Sequence, residues 1–397
     1  MSQLLISLNK QLQNLQNEGY DIEVRDAYLL VHHVPYYNSD KQIKHGMLAM
    51  AIKTSGNTIL PPDDHTAFWK GEKPCFPDGS EVPSLINCPQ KTNLGNEIYS
   101  DYFCSRKPES NGGKYIDFYE KVTGYFHCIS DPVCAFDKKA FLRTKSPILI
   151  EDDKSPLIYQ DTNASRANIV GVNESMKGKK IAIIGLGGTG SYLLDHLGKT
   201  CISEIHLFDD DVFDTHNAYR APGAPSEEDL KQRKMKVEYF QETYSRMHKN
   251  IIPHCTKITP TNLYLLDDLD CVFICVDKVG VRCMIAEYLE KRKAIFIDSG
   301  MGIVKEQDSL LGLIRVTSGY QNNYSHIKEV FGTATQDDDV YSSNIQVSEL
   351  NCLAAIMMIM KWKRMIGFYV NDATNDLNHV YNTATNNILH YDSYKEK

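Results

Sequence analysis

Residues 181–190 read Ile181-Ala-Ile-Ile-Gly-Leu-Gly-Gly-Thr-Gly190, and nineteen residues beyond Gly190 begins Asp209-Asp-Asp-Val-Phe-Asp-Thr-His-Asn-Ala-Tyr-Arg220. A short apolar strand runs into a glycine-rich turn and then a helix, so backbone N–H groups gather at a helix N-terminus, where a phosphate binds well. By itself Gly185-x-Gly187-x-x-Gly190 with a later acid also fits a nicotinamide-binding fold, in which the acid holds a ribose hydroxyl. Three features shift the reading toward nucleotide chemistry. Gly188 extends the turn, giving the backbone one more close approach to a phosphate. Asp209 and Asp211 alternate, so at a strand end one faces a ribose while the other approaches a metal. Asn217-x-x-Arg220, Lys234 and Lys236 supply donors for a triphosphate tail that a dinucleotide does not need.

From about residue 165 the chain alternates strand and helix, the pattern of a parallel sheet covered on both faces. Strands are expected at Ile181–Ile184, Glu204–Phe208, Ile251–His254, Cys271–Val276, Ala294–Ile297 and, antiparallel, Asn387–Tyr391. Helices are expected from near Ser191, Lys234 and Val281, with a long one over Gln346–Gly367. Ser226-Glu-Glu-Asp229 reads as a helix cap with acids in the first turn.

Residues 1–160 have a different texture. Pro61-Pro62, Phe76-Pro-Asp-Gly79 and Asn111-Gly-Gly113 punctuate a turn-rich α+β module. Leu4, Leu5, Leu8, Leu12 and Leu15 line one face of an opening helix, and Ala27–Val34 and Gly124–Ile129 look like strands. The polar stretch Glu151-Asp-Asp-Lys-Ser-Pro156 marks the boundary with a domain over 161–397.

Bulk properties agree with a globular protein: 397 residues, 42% apolar and 24% charged, with a net charge of −8 that argues against a nucleic-acid partner. Neither a signal peptide nor a membrane span is expected, since the apolar run Leu353–Met360 is short and ends in Lys361, Lys363 and Arg364. The eleven cysteines form no Cys-x-x-Cys pair. Disulfides and zinc are therefore not expected, and the setting is cytoplasmic. Cys271 and Cys275 share one face of a strand and belong to the core.

Taken together, these motifs resemble the ubiquitin-activating enzyme family, including the bacterial ThiF and MoeB proteins. The resemblance implies ATP- and magnesium-dependent adenylation of the C-terminal carboxylate of a ubiquitin-like or sulfur-carrier protein, on a Rossmann-like domain. It assigns Asp209 to the ribose, Asn217 and Arg220 to the ATP phosphates, and Lys236 to the α/β-phosphates. It also gives Asp277, in Ile274-Cys-Val-Asp277 ahead of Arg282, to magnesium. Arg166 matches an arginine that reaches ATP from a partner subunit, which implies a homodimer. Adenylation of a peptide or small carboxylic acid, or nicotinamide-dependent oxidoreduction on the same turn, are the alternatives.

The chain departs from the family pattern after the last adenylation strand, because 298–349 holds no cysteine for a thioester. Cys352 falls in an apolar helix and reads as core. A thiol, if the chain supplies one, is expected in the N-terminal module. Cys75, in Glu72-Lys-Pro-Cys-Phe-Pro-Asp-Gly79, lies in a turn-rich and exposed-looking segment. His65, Glu72 and Cys75 fit no metal spacing. The module resembles a domain that precedes ThiF-like domains in some bacterial proteins, which implies a bacterial source and a role in recruiting a carrier or conjugating protein.

Overall fold

The computed structural model describes residues 2–95, 98–109, 111–136, 143–150, 155–331, 345–371 and 376–391. The chain divides into two compact units, one of residues 1–151 and 159–172, the other of 152–158 and 173–397. The sequence-expected boundary stretch lies outside the described residues at 151–154, while Leu157 and His248 form a bridge within the second unit.

The second unit is built on an eight-stranded sheet. Its first five strands in chain order are Lys180–Ile184, Glu204–Phe208, Ile251–His254, Cys271–Ile274 and Phe296–Glu306. They lie parallel in the spatial order third, second, first, fourth, fifth. The order reverses between the first and fourth strands, which leaves a crevice at their carboxyl ends where doubly wound sheets bind ligands. Alternation along each strand serves two cores. Ile181, Ile183, Leu207 and Phe273 pack on the helices Gly188–Leu197, Lys236–Tyr244 and Ser348–Met365. Ala182, Ile184, Val272 and Phe296 pack on Val279–Lys291 and Ile327–Phe331.

The five parallel strands lie where they are expected, and the differences come after them and at one helix cap. The fifth strand continues to Glu306 and turns into an antiparallel partner, Ser309–Gly319, that the sequence reading omits. Asn378–Asn382 and Asn387–Tyr391 then extend the sheet antiparallel. Ser226 does cap a helix, with Asp229 completing the box, but that helix is the short Glu227–Lys231 rather than the start of Lys236–Tyr244.

The first unit carries a six-stranded antiparallel sheet with the helices Ser2–Leu8, Lys10–Glu18, Phe118–Phe136 and Thr162–Arg166. The opening helix is split into Ser2–Leu8 and Lys10–Glu18. Asn9, buried between them, bonds the Leu5 and Asn57 carbonyls and the Ile59 N–H, and leaves the helical backbone to do so. Leu8 consequently points outward. Gly124–Ile129 is not a strand: it lies inside the helix Phe118–Phe136, whose Val122, Tyr125, Phe126, Ile129 and Val133 are buried at three- and four-residue steps. Local strand propensity yields there to packing against the sheet.

Candidate nucleotide site

The glycine turn joins the first strand to the helix Gly188–Leu197, with Gly187 as its N-cap. Each glycine has its own physical reason. Gly185 has φ +90°, and a Cβ there would meet the Cys275 carbonyl. At Gly190 a Cβ would fall 1.9 Å from the Gly185 carbonyl oxygen. Gly188 is a glycine because the Asn351 side chain fills the space beside it, a Cβ falling 2.1 Å from Asn351 Nδ2. That reason differs from the phosphate approach expected at this position. Only Gly187 of the four has ordinary φ and open space, which leaves room for a ligand against its backbone.

The acids follow at the end of the second strand. Asp209 is buried and accepts the Leu186 N–H at 2.6 Å and the Asp211 N–H at 2.9 Å, which ties the turn to the strand end. Lys236 is also buried and reaches both carboxylates, at 2.7 Å to Asp211 and 3.6 Å to Asp209. Its own N–H donates to the Asp211 carbonyl, so the start of the helix Lys236–Tyr244 is fixed against the acidic segment. The ammonium of Lys236 holds the Asp211 carboxyl below its usual range. The carboxylates of Asp209, Asp210 and Asp211 converge closely, while Asp210 pairs with Lys257 at 2.9 Å.

Asn217 is buried in a reciprocal cap with Asp214: its Oδ1 accepts the Asp214 N–H at 2.9 Å, and its Nδ2 is buried without a partner. Arg220, one turn on, likewise has a buried and unpartnered Nε. Burial works against the charge of Arg220, while the carboxylates of Asp211 and Asp277 favour it. Asp277 follows the carboxyl end of the fourth strand, where it is exposed and next to Lys278, the N-cap of Val279–Lys291. It belongs to no group of three metal-ligating side chains among the described residues.

Orphaned buried donors are costly, roughly 1–3 kcal/mol each, and native structures retain few of them without a ligand or a strain role. Donors of this kind on Asn217 and Arg220, with open space at Gly187 and a buried lysine, fit an anionic ligand such as a nucleotide triphosphate.

Three sequence-expected residues lie elsewhere. Lys234 precedes the helix Lys236–Tyr244, pairs with Glu242 on it and does not join Lys236. Arg166 is exposed in the last turn of Thr162–Arg166, within the first unit. Cys75 is not exposed. It is 1% accessible, its N–H bonds the Tyr37 carbonyl at 2.7 Å, and burial pushes its thiol pKa up. A buried thiol of raised pKa is a poor nucleophile, because the thiolate is the reactive form. Glu72, Phe76, Asp78 and Ser80 around it are exposed as expected, but bridges from Cys75 to Tyr37 and to Glu81 draw the backbone of Cys75 itself inward. Cys352 is half-buried on Ser348–Met365, and Cys271 and Cys275 lie together in the core.

Two parts of the site have no motif in the sequence. Asp298, fully buried, binds Arg282 Nη1 at 2.8 Å and Arg315 Nη2 at 2.6 Å, which anchors the helix that starts beside Asp277. The other is Asn351, which reaches the turn from a helix more than 150 residues away in the chain. Neither follows a spacing rule, because each depends on contacts between distant segments.

A doubly wound α/β unit with this turn, acid and lysine at its switch point is a nucleotide-binding unit. The chain belongs to the ThiF family, which it matches over residues 163–389, and residues 10–162 match a domain of unknown function, DUF6791. It is 27% identical over 151 residues to ubiquitin-like modifier-activating enzyme 5 of Drosophila mojavensis, covering 34% of this chain and 37% of that protein. With the adenylyltransferase and sulfurtransferase UBA4 of Candida glabrata it shares 26% identity over 175 residues, covering 42% and 40%. The chain thus spans about two fifths or less of the length of these relatives. Among solved structures, E. coli MccB with ATP aligns over 60% of this chain and 73% of that one, with 18% identity and a TM-score of 0.45. No described helix is long and apolar enough to cross a membrane.

Proposed function

We propose that the chain uses ATP to adenylate a carboxylate, and that its substrate is the C-terminus of a ubiquitin-like or sulfur-carrier protein. The observation that carries this reading is a pair of buried, unpartnered donors, Asn217 Nδ2 and Arg220 Nε, beside a buried Lys236 that is held by Asp209 and Asp211, the former bonded to the glycine turn. Membership of the ThiF family supports it, as do relatives named for modifier activation and adenylyl transfer.

A carboxylate oxygen attacks the α-phosphorus of ATP, the bond to the β-phosphate oxygen breaks, and pyrophosphate leaves. The nucleophile is already ionised, so no general base is required. The difficulty is charge, since two anions meet. Backbone N–H groups of the glycine turn, Lys236 and Arg220 provide fixed positive charge where negative charge develops, the largest kind of contribution an enzyme makes. Asp209 is suited to a ribose hydroxyl, its oxygens already oriented by the Leu186 and Asp211 N–H groups. Asp277 would hold magnesium, which neutralises phosphate charge when bound. The acyl-adenylate then passes to a thiol or amine other than Cys75.

ATP–pyrophosphate exchange tests this reading. Exchange should appear with ATP, magnesium and a ubiquitin-like carrier, and Asp277→Ala should lower it at least ~100-fold, on the scale of a lost transition-state charge contact. Exchange that persists in Asp277→Ala removes the magnesium role. Exchange driven by short peptides but by no carrier protein moves the substrate to peptide carboxylates. Tight NADH binding without ATP binding overturns adenylation altogether.

A further inference from the structure

The helix Ser348–Met365 places Asn351 on the phosphate turn in a way the turn's own sequence does not disclose. Asn351 is 2% exposed. Its Oδ1 accepts the Thr189 hydroxyl at 3.2 Å, and its amide occupies the hollow that Gly188 leaves by having no Cβ. Its Nδ2 is buried and without a partner. Three residues earlier, at the first position of the same helix, Ser348 Oγ and Tyr192 Oη are 2.6 Å apart, which ties the start of this helix to the helix Gly188–Leu197.

An apolar residue of similar size would fill the hollow without leaving a buried donor unsatisfied, at a saving of roughly 1–3 kcal/mol. Retention of the amide needs a reason other than packing. Gly188 and Thr189 are the first helical residues after the N-cap, and their N–H groups have no intrahelical acceptor. They are the groups that a phosphate meets at a helix N-terminus. The orphan donor therefore lies against Gly188, the residue that opens that helix N-terminus.

We propose that Asn351 is a positioning residue for the nucleotide phosphates. Its carboxamide pins Thr189 and seats on Gly188, and holds their N–H groups in the orientation that receives phosphate. Its own Nδ2 adds a donor dipole facing the turn, so an anion there is attracted by the amide as well as by the helix. The inference rests on the adenylation reading for the identity of the ligand, ATP. It goes beyond that reading in assigning a specific task to the C-terminal helix.

The full-length chain carrying Asn351→Leu tests it, with Kd measured for ATP and for adenosine, which has no phosphate, and Tm recorded in parallel. The expected result is a rise of about tenfold or more in the ATP Kd, an adenosine Kd within about twofold of wild type, and a Tm unchanged or raised, because the orphan donor is gone. Asn351→Ser, which creates no overpacking, should show the same loss confined to ATP and covers the case in which the leucine variant does not fold. ATP affinity equal to wild type in either folded variant overturns the proposal. Equal weakening of ATP and adenosine also overturns it, because Asn351 is then a packing residue of the whole site. Wild-type protein that binds adenosine and ATP alike, with no gain from the phosphates, sinks the adenylation reading and this inference together. That outcome is distinguishable because it is seen before any substitution is made.

Discussion

Lys236 is enclosed by carboxylates, and its position explains why two acids alternate after the second strand. Asp209 faces inward and Asp211 is mostly exposed, yet one ammonium contacts both. Replacing Lys236 by Met keeps the aliphatic stem and removes the charge. It should lower the exchange rate by about 100- to 1000-fold, as loss of a charge that faces the transferring phosphate does, while the circular dichroism spectrum stays native. A rate within fivefold of wild type would reduce Lys236 to a structural partner of the acids. Cys75 supports a second expectation at this scale. Iodoacetamide applied to the native protein should label the exposed Cys88, Cys134 and Cys255 and leave Cys75 unmodified, as read by peptide mass spectrometry. Prompt labelling of Cys75 would restore it as a nucleophile. The sequence grouped Lys236 with Asp209, and the fold brings the two side chains to 3.6 Å. It misjudged Cys75 because exposure belongs to the pairing of the segment, which no neighbouring residue reveals.

Among the elements, the parallel strands of the second unit were legible, whereas the antiparallel Ser309–Gly319 and Asn378–Asn382 were not. Glu204–Phe208, Ile251–His254 and Asn387–Tyr391 have the bounds expected from apolar runs between turn signals. The stretch Gly124–Ile129 was not legible, because aromatic and β-branched residues serve a buried helix face as well as a strand. The C-terminal strands are held to the long helix by Asp376, which the sequence did not single out. Arg364 donates to it at 2.6 Å, Lys361 lies at 3.4 Å, and His379 and His390 each lie at 3.1 Å. Burial pulls Lys361 down to about 8, whereas the surrounding donors hold Asp376 well below the ordinary carboxylate range. A depressed acid contributes stability above its unfolded pKa, near 4, and loses it as pH falls. The lysine acts separately, over the range from its ordinary pKa down to about 8, where folding disfavours the added proton. Asp376→Asn should therefore cost about 3–5 kcal/mol at neutral pH, as breaking a buried pair does. It should also flatten the decline of Tm between pH 5 and 3. An unchanged acid limb in that variant would show that Asp376 is not the group responsible.

At the scale of the whole molecule, the two units are separate in architecture, an antiparallel sheet with helices and a doubly wound sheet. Arg166 belongs to the first of them, and its proposed action on a partner's ATP calls for a dimer. Mixing Arg166→Ala with Asp277→Ala provides the test. In a symmetric dimer that exchanges subunits, about a quarter of the sites regain both residues, and exchange activity should return to that fraction. Two inactive variants that stay inactive after mixing, or an Arg166→Ala protein with full activity, would remove Arg166 from the reaction. The sequence by itself determined the doubly wound fold, the phosphate turn and the order of acid, asparagine, arginine and lysine. Each of those is carried by backbone conformation or by residues a few positions apart. Tertiary structure alone decided that Gly188 is a glycine on account of Asn351, that Asp298 anchors the helix beside Asp277, and that Cys75 is buried. These depend on contacts between segments far apart in the chain, and burial and pairing arise only when those segments pack.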